Sequence, residues 1–246
     1  MKLVVSFFLF LVVNVLQAEP LPSGPGRQVA VFVALCDNEH QGIAPVPAAI
    51  GRGNDLQGNL YWGCDEALPK VLRRAAAWQT PRVVDAYDGK REAVLQAQVS
   101  TRADKRATLT VFAYRGDAIA ECMQDFETAV VSGLYELVAY LGHNGLMDVD
   151  LPEPAPAAGK AADAMALCCM SREYFEPRLH RLGSRPMLLT EQFMYPAGAA
   201  MLAAIDAWVQ SPGAVESIRK AAGQAYAKNQ RISLRAALGV FADLLK

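Results

Sequence analysis

The sequence predicts an α/β sandwich built around a mainly parallel sheet. Two observations carry this. From residue 28 to the end, apolar runs rich in β-branched residues alternate with segments of helical spacing, as expected of strands buried on both faces and joined by helices. Four of the runs also break at their carboxyl ends into polar or reactive residues: Cys36-Asp37-Asn38, His143-Asn144-Gly145, Cys169-Met170-Ser171 and Thr190-Glu191-Gln192. Open α/β sheets bind ligands beyond those ends.

The first 18 residues read as a secretory leader. Lys2 supplies the positive charge, residues 3–16 are almost unbroken apolar sequence, and Leu16-Gln17-Ala18 offers a small residue before a cut. The apolar run is short for a spanning helix, which needs about 20 residues. Export to the periplasm or the medium is therefore expected, with no membrane span after cleavage. Residues 19–27 (EPLPSGPGR) form an extended Pro/Gly-rich lead-in, and residues 28–246 a single domain.

The elements follow in order. Residues 28–35 (QVAVFVAL) form a first strand, and a long polar loop runs on to about Leu60. Loops of that length are uncommon unless they build a site. Residues 61–78 have helical spacing, with Pro69 a natural first-turn residue if the helix starts there. Residues 82–87 form a strand, and 94–100 with 107–114 a hairpin with a charged turn. Ile119, Met123, Phe126 and Val130 mark a helix that Asp117 would cap and Gly133 would end. Strands are expected at 137–141, 164–168 and 185–189, and a helix from just after Cys169 through Arg181. A Pro/Ala loop occupies 151–159, and helices at 197–210, 214–228 and 233–245 close the chain.

Composition narrows the function. The chain is 52% hydrophobic, with a net charge of −1, so neither disorder nor electrostatic binding of nucleic acid is expected. Five cysteines are too few for a disulfide scaffold, and their odd number leaves at least one thiol unpaired within the monomer. Cys36 and Cys64 bracket the long loop, either bridged or free. There is no Gly-X-Ser-X-Gly elbow, Walker loop or His-Glu-X-X-His motif. None of His40, His143 and His180 has metal-ligand spacing with the cysteines. No cofactor and no metal are expected.

What remains is a histidine and a cysteine at the ends of two consecutive strands. A nearby imidazole can accept a thiol proton or favour the thiolate, which makes the sulfur a useful nucleophile. His143 and Cys169 would share one rim of the sheet if those strands are neighbours. Gly142 and Gly145 flank the histidine and Asn144, and the backbone there can offer N–H groups to an oxyanion. Cys169 also precedes a helix, whose N-terminal dipole favours an anion. A lone cysteine is more often a buried structural thiol, which suits Cys168, expected to point to the opposite side of its strand. The adjacent Cys168-Cys169 pair could bridge only with strain, unlike a Cys-X-X-Cys redox pair.

The segments LVAYLGHNG (137–145) and AMALCC (164–169) resemble the caspase/gingipain/legumain group of cysteine peptidases. In that group a strand ending in His-Gly and a short strand ending in Cys supply a catalytic dyad on a caspase-like α/β sandwich. The blocks GHNGLMD and Cys169-Met170-Ser171-Arg172-Glu173-Tyr174-Phe175 also resemble uncharacterised exported bacterial proteins. The resemblance implies a three-layer caspase-like fold and a cysteine endopeptidase with Cys169 as nucleophile and His143 handling the proton. Gly145 and Asn144 would then provide the oxyanion backbone. Asp37, Asn38, Thr190 and Glu191 would lie at the substrate pocket, with Asp37 favouring a basic residue. A peptide or protein is the implied partner. One departure is plain: Asn144 separates His143 from Gly145, where the peptidases have His directly followed by Gly. A catalytically silent module that binds a peptide or an envelope partner in the same cleft is the competing expectation.

Overall fold

The structure of the protein, a computed structural model, describes residues 24–100, 105–157, 159–195 and 197–245. The expected leader, the first part of the lead-in and the tip of the charged hairpin at 101–104 lie outside the described residues. Among those described are strands β1 (Arg27–Ala34), β2 (Arg82–Ala86), β3 (Arg91–Ser100), β4 (Arg106–Tyr114), β5 (Leu137–Leu141), β6 (Asp163–Leu167) and β7 (Pro186–Leu188). The helices are α1 (Leu68–Arg74), α2 (Ile119–Val131), α3 (Ser171–Arg181), α4 (Gly198–Gln210), α5 (Val215–Gln230) and α6 (Leu234–Leu238). No helix of the described residues is long and apolar enough to cross a membrane.

All seven strands join one sheet in the order β2-β3-β4-β1-β5-β6-β7. From β4 to β7 every pairing is parallel, while β2-β3 and β3-β4 are antiparallel. The fold is thus α/β with a mixed, mostly parallel sheet. β1 shows why it can be central. Val29, Val31 and Val33 enter one core, and Ala30, Phe32 and Ala34 enter the other, because side chains alternate across a strand. Leu68, Leu72, Met201, Ile205, Ile218 and Ala237 cover the first face from α1, α4, α5 and α6. On the second, α2 and α3 bring Met123, Phe126, Phe175 and Leu179. There Phe126, Tyr140 and Phe175 form a ring cluster with centroids 5.7–6.3 Å apart. Each fully buried Val, Leu or Phe contributes roughly 1.5–3 kcal/mol, so the two cores hold the sheet rim in place from both sides.

Three expectations are corrected. Asp117 does not cap α2: both its carboxylate oxygens accept from Arg115, and the helix starts at Ile119 after a short 3-10 turn with no side-chain cap. Of the stretch 61–78 only α1 is helical: it begins at Leu68, one residue before the later start that Pro69 allowed, but ends at Arg74, short of Trp78. Ahead of it, Asn59 O accepts from the N–H groups of Trp62, Gly63 and Cys64 and winds the chain into turns. The last helix is shorter than expected and stops at Leu238. Beyond Gly239, Glu191 N donates to Val240 O and Ala242 N to Leu189 O. This ribbon pairs with the residues just past β7 through an isolated antiparallel bridge between Thr190 and Phe241, which β-prone Val240 and Phe241 favour over continued helix.

Candidate functional site

The site begins with the register of two neighbouring strands. β5 and β6 pair in parallel, and their last paired residues are Leu141 and Leu167. His143 and Cys169 each stand two residues beyond that pair, so equal lengths of chain carry them past the rim. Gly142 (φ +154°) turns the chain there, and its backbone packs close to Ala34 O, which a Cβ would approach to 3.1 Å. The turn is held by Tyr140, whose hydroxyl donates to His143 O at 2.5 Å.

Asn144 ties the two strand ends together. It is fully buried; its Nδ2 donates to Cys169 O at 2.8 Å, and its Oδ1 accepts from Leu146 N at 3.2 Å. It thereby caps the 3-10 turn Gly145–Met147. Gly145 lies against Ile119, where an added Cβ would come within 2.8 Å of that side chain. That turn returns the chain so that Asp148 Oδ2 lies 2.6 Å from His143 Nε2. The same oxygen accepts from Gly42 N at 2.8 Å, linking the long loop after β1 to the rim.

Cys169 is partly exposed, whereas Cys168 is fully buried in the core under α2 and α3. The Cys169 thiol is directed to Met194 O at 3.6 Å, a long contact from a weak donor. Among the described residues no hydrogen bond joins Cys169 to His143. Between Cys169 and α3, Met170 takes the left-handed conformation (φ 50°, ψ 37°), with its N–H on Gln192 O at 3.0 Å. A non-glycine residue there costs of order 1–3 kcal/mol. Behind this turn Ser171 Oγ donates to Ala166 O at 2.7 Å, Ser171 N to Thr190 Oγ1 at 3.0 Å, and Thr190 Oγ1 to Cys168 O.

Burial raises the other four thiols, the partly exposed Cys64 among them. All five cysteines are free, Cys36 and Cys64 included. Burial pushes the Cys36 thiol up to about 11, and burial holds Cys122 and Cys168 well above the ordinary range. The Tyr61 hydroxyl, itself raised by burial, is hydrogen-bonded to Cys36 and within electrostatic reach of Cys169. Among the described residues there is no group of three or more His, Cys, Asp or Glu side chains suited to a metal ion.

The four expected pocket residues fall into two separate places. Asp37 and Asn38 line a cavity of about 360 Å³ with His40, Arg52, Arg115 and Asp117. Asp37 is buried; its Oδ1 accepts from Glu39 N at 2.9 Å, an Asx turn, and its Oδ2 lies 3.0 Å from His40 Nδ1. Asn38 is committed to the loop, donating to Val46 O and accepting from Val46 N. Thr190 is fully buried in the Ser171 network, while exposed Glu191 pairs with Arg172. These two line a shallow groove of about 350 Å³ with Met170, Arg172, Glu173 and Glu176. Neither cavity is lined by Cys169 or His143.

Three residues stand out that the spacing argument passed over. Asp148 has no role in the sequence analysis above, yet it is the partner of His143. The available signal was the GHNGLMD block, which carries both residues on either side of one turn. Met194 reaches Cys169 from a distant segment, and Tyr61 lies within electrostatic reach of it; both are buried, and no local pattern points to them. No family model matches this chain, and neither the curated proteins nor the solved structures yield a match.

Proposed function

We propose that this chain is an exported, caspase-like cysteine hydrolase acting on a peptide or protein, with Cys169 as nucleophile and His143 managing the proton. The observation that carries the reading is the matched register of β5 and β6. It leaves an imidazole and a partly exposed thiol equally far beyond the same sheet rim, with Asn144 bonded to the Cys169 carbonyl. In this reading the Cys169 sulfur attacks the substrate carbonyl carbon, and its proton passes to the imidazole. Backbone N–H groups near Gly145 and Cys169 hold the oxyanion. The C–N bond then breaks, the amine leaves with the proton from His143, and water hydrolyses the thioester. Asp37, with Asn38 beside it, would favour a basic residue in the substrate.

A specific observation supports the second reading, a silent module that binds a peptide or envelope partner. The Cys169 thiol bonds to Met194 O, and the extra residue Asn144 is buried and bonded to the Cys169 carbonyl. One measurement separates the readings. Labelling with an iodoacetamide probe should modify Cys169 rapidly below about pH 7. His143→Ala should slow this by about 100-fold. Labelling at the rate of a free thiol, unchanged by His143→Ala, would leave only the binding module.

A further inference from the structure

The geometry points to Asp148 as the positioning residue of His143, holding the proton on Nε2 so that Nδ1 is the nitrogen that serves Cys169. The inference rests on the dyad reading above and deepens it from a pair to a Cys-His-Asp set.

The argument starts from Asp148 Oδ2. It accepts from Gly42 N at 2.8 Å and lies 2.6 Å from His143 Nε2. An ionised carboxylate only accepts hydrogen bonds, so the proton in the short contact belongs to the imidazole. The partner on one ring nitrogen decides which nitrogen keeps the lone pair, and here that is Nδ1. Among the described residues Nδ1 has no hydrogen-bond partner. No buried side-chain nitrogen or oxygen lacks one, so Nδ1 opens to solvent. One nitrogen is thus fixed by the protein and the other is available.

The carboxylate is itself held from a second direction. A Cβ at Gly42 would lie 2.4 Å from Asp148 Oδ1, so the loop after β1 packs directly on it, and glycine leaves it that room. Tyr140 fixes the His143 carbonyl, and Asn144 fixes the turn that returns Asp148 to the ring. Imidazole, carboxylate and loop therefore form one clamp.

The test uses the purified protein and two readouts. In wild type, ¹⁵N NMR of the His143 ring should show a protonated Nε2 and an unprotonated Nδ1. Asp148→Asn can present its amide N–H to Nε2, which moves the proton to Nδ1. Alkylation of Cys169 near pH 6.5 should then fall at least about tenfold, with a smaller loss near pH 9. Asp148→Glu should restore part of the rate and the original tautomer. If Asp148→Asn does not fold, Gly42→Ala displaces the carboxylate from the loop side and should weaken the same two readouts. The inference is overturned if the variant that folds leaves either the tautomer or the alkylation rate unchanged while His143→Ala slows alkylation. If His143→Ala itself has no effect on Cys169, the dyad reading fails, and the tautomer still reports whether Asp148 holds the ring.

Discussion

The rim of the sheet carries two His-Asp pairs, and they are inverted copies of each other. At the β5-β6 end the histidine is the buried partner: the His143 side chain is 8% exposed and that of Asp148 is 24% exposed. At the β1-β4 end the acid is buried: the Asp37 side chain is 8% exposed and that of His40 is 51% exposed. In both, the buried member has its surroundings built around it. Tyr140 and Asn144 fix the backbone about His143, and Gly53 and Gly116 pack on Asp37. On the reading proposed above, the difference separates two jobs. A buried imidazole with one nitrogen tied suits directed proton transfer, whereas a buried carboxylate lining a cavity suits recognition of a cation or a donor.

The contrast can be broken first at the buried acid. A Cβ at Gly53 would lie 2.1 Å from Asp37 Oδ2, and the bonds from Glu39 and His40 leave that carboxylate little room. Gly53→Ala should cost about 1–3 kcal/mol, measured by urea unfolding. A neutral result would mean that Asp37 is free to move and that the cavity is not organised around it.

A smaller effect of opposite sign is expected at the other rim. Met170 and Arg231 are the non-glycine residues with positive φ among those described, and neither lies beside Asp37. Met170→Gly should therefore stabilise the protein by about 1 kcal/mol, again by urea unfolding. Destabilisation would show that the Met170 side chain contributes more than its backbone conformation costs.

The smallest effect sharpens the comparison through pH. The Asp37 hydrogen bond and charge raise the His40 imidazole above its ordinary value of 6.5. A group raised in the folded state stabilises fully below its unfolded value, and the contribution is lost as pH rises through the folded one. The melting-temperature gap between wild type and His40→Gln should be largest below about pH 6.5 and close as pH rises. It should stay small, since His40 is exposed to solvent screening. A gap that widened with pH would contradict the pairing.

Much of the architecture is legible in the sequence because its signals are local. The run 137–141 matches β5, the seven expected strands all form, and Gly133 (φ +73°) follows the helix it was expected to end. The errors arise where another partner, distant or local, competes with the helical pattern. Val240 and Ala242 leave the helical pattern because residues 189 and 191 offer backbone partners. Asp117 leaves its cap because Arg115 is a stronger partner. Site legibility was narrower still. His143 and Cys169 could be chosen because polar residues interrupt apolar strands there. Asp148 and Met194 could not be paired with them by spacing, since each contact depends on how a loop returns to the rim.

By itself, then, the sequence determined the order and type of the elements, the two-faced apolar strands and the reactive residues at their ends. Periodicity and turn chemistry act over a few neighbours, so they can be read directly from the chain. Only the tertiary structure decided that β1 lies between β4 and β5, that the two expected pocket pairs line different cavities, and which nitrogen of His143 is occupied. Those outcomes depend on contacts between residues far apart in sequence, such as Gly42 with Asp148, whose placement follows from how the two cores pack.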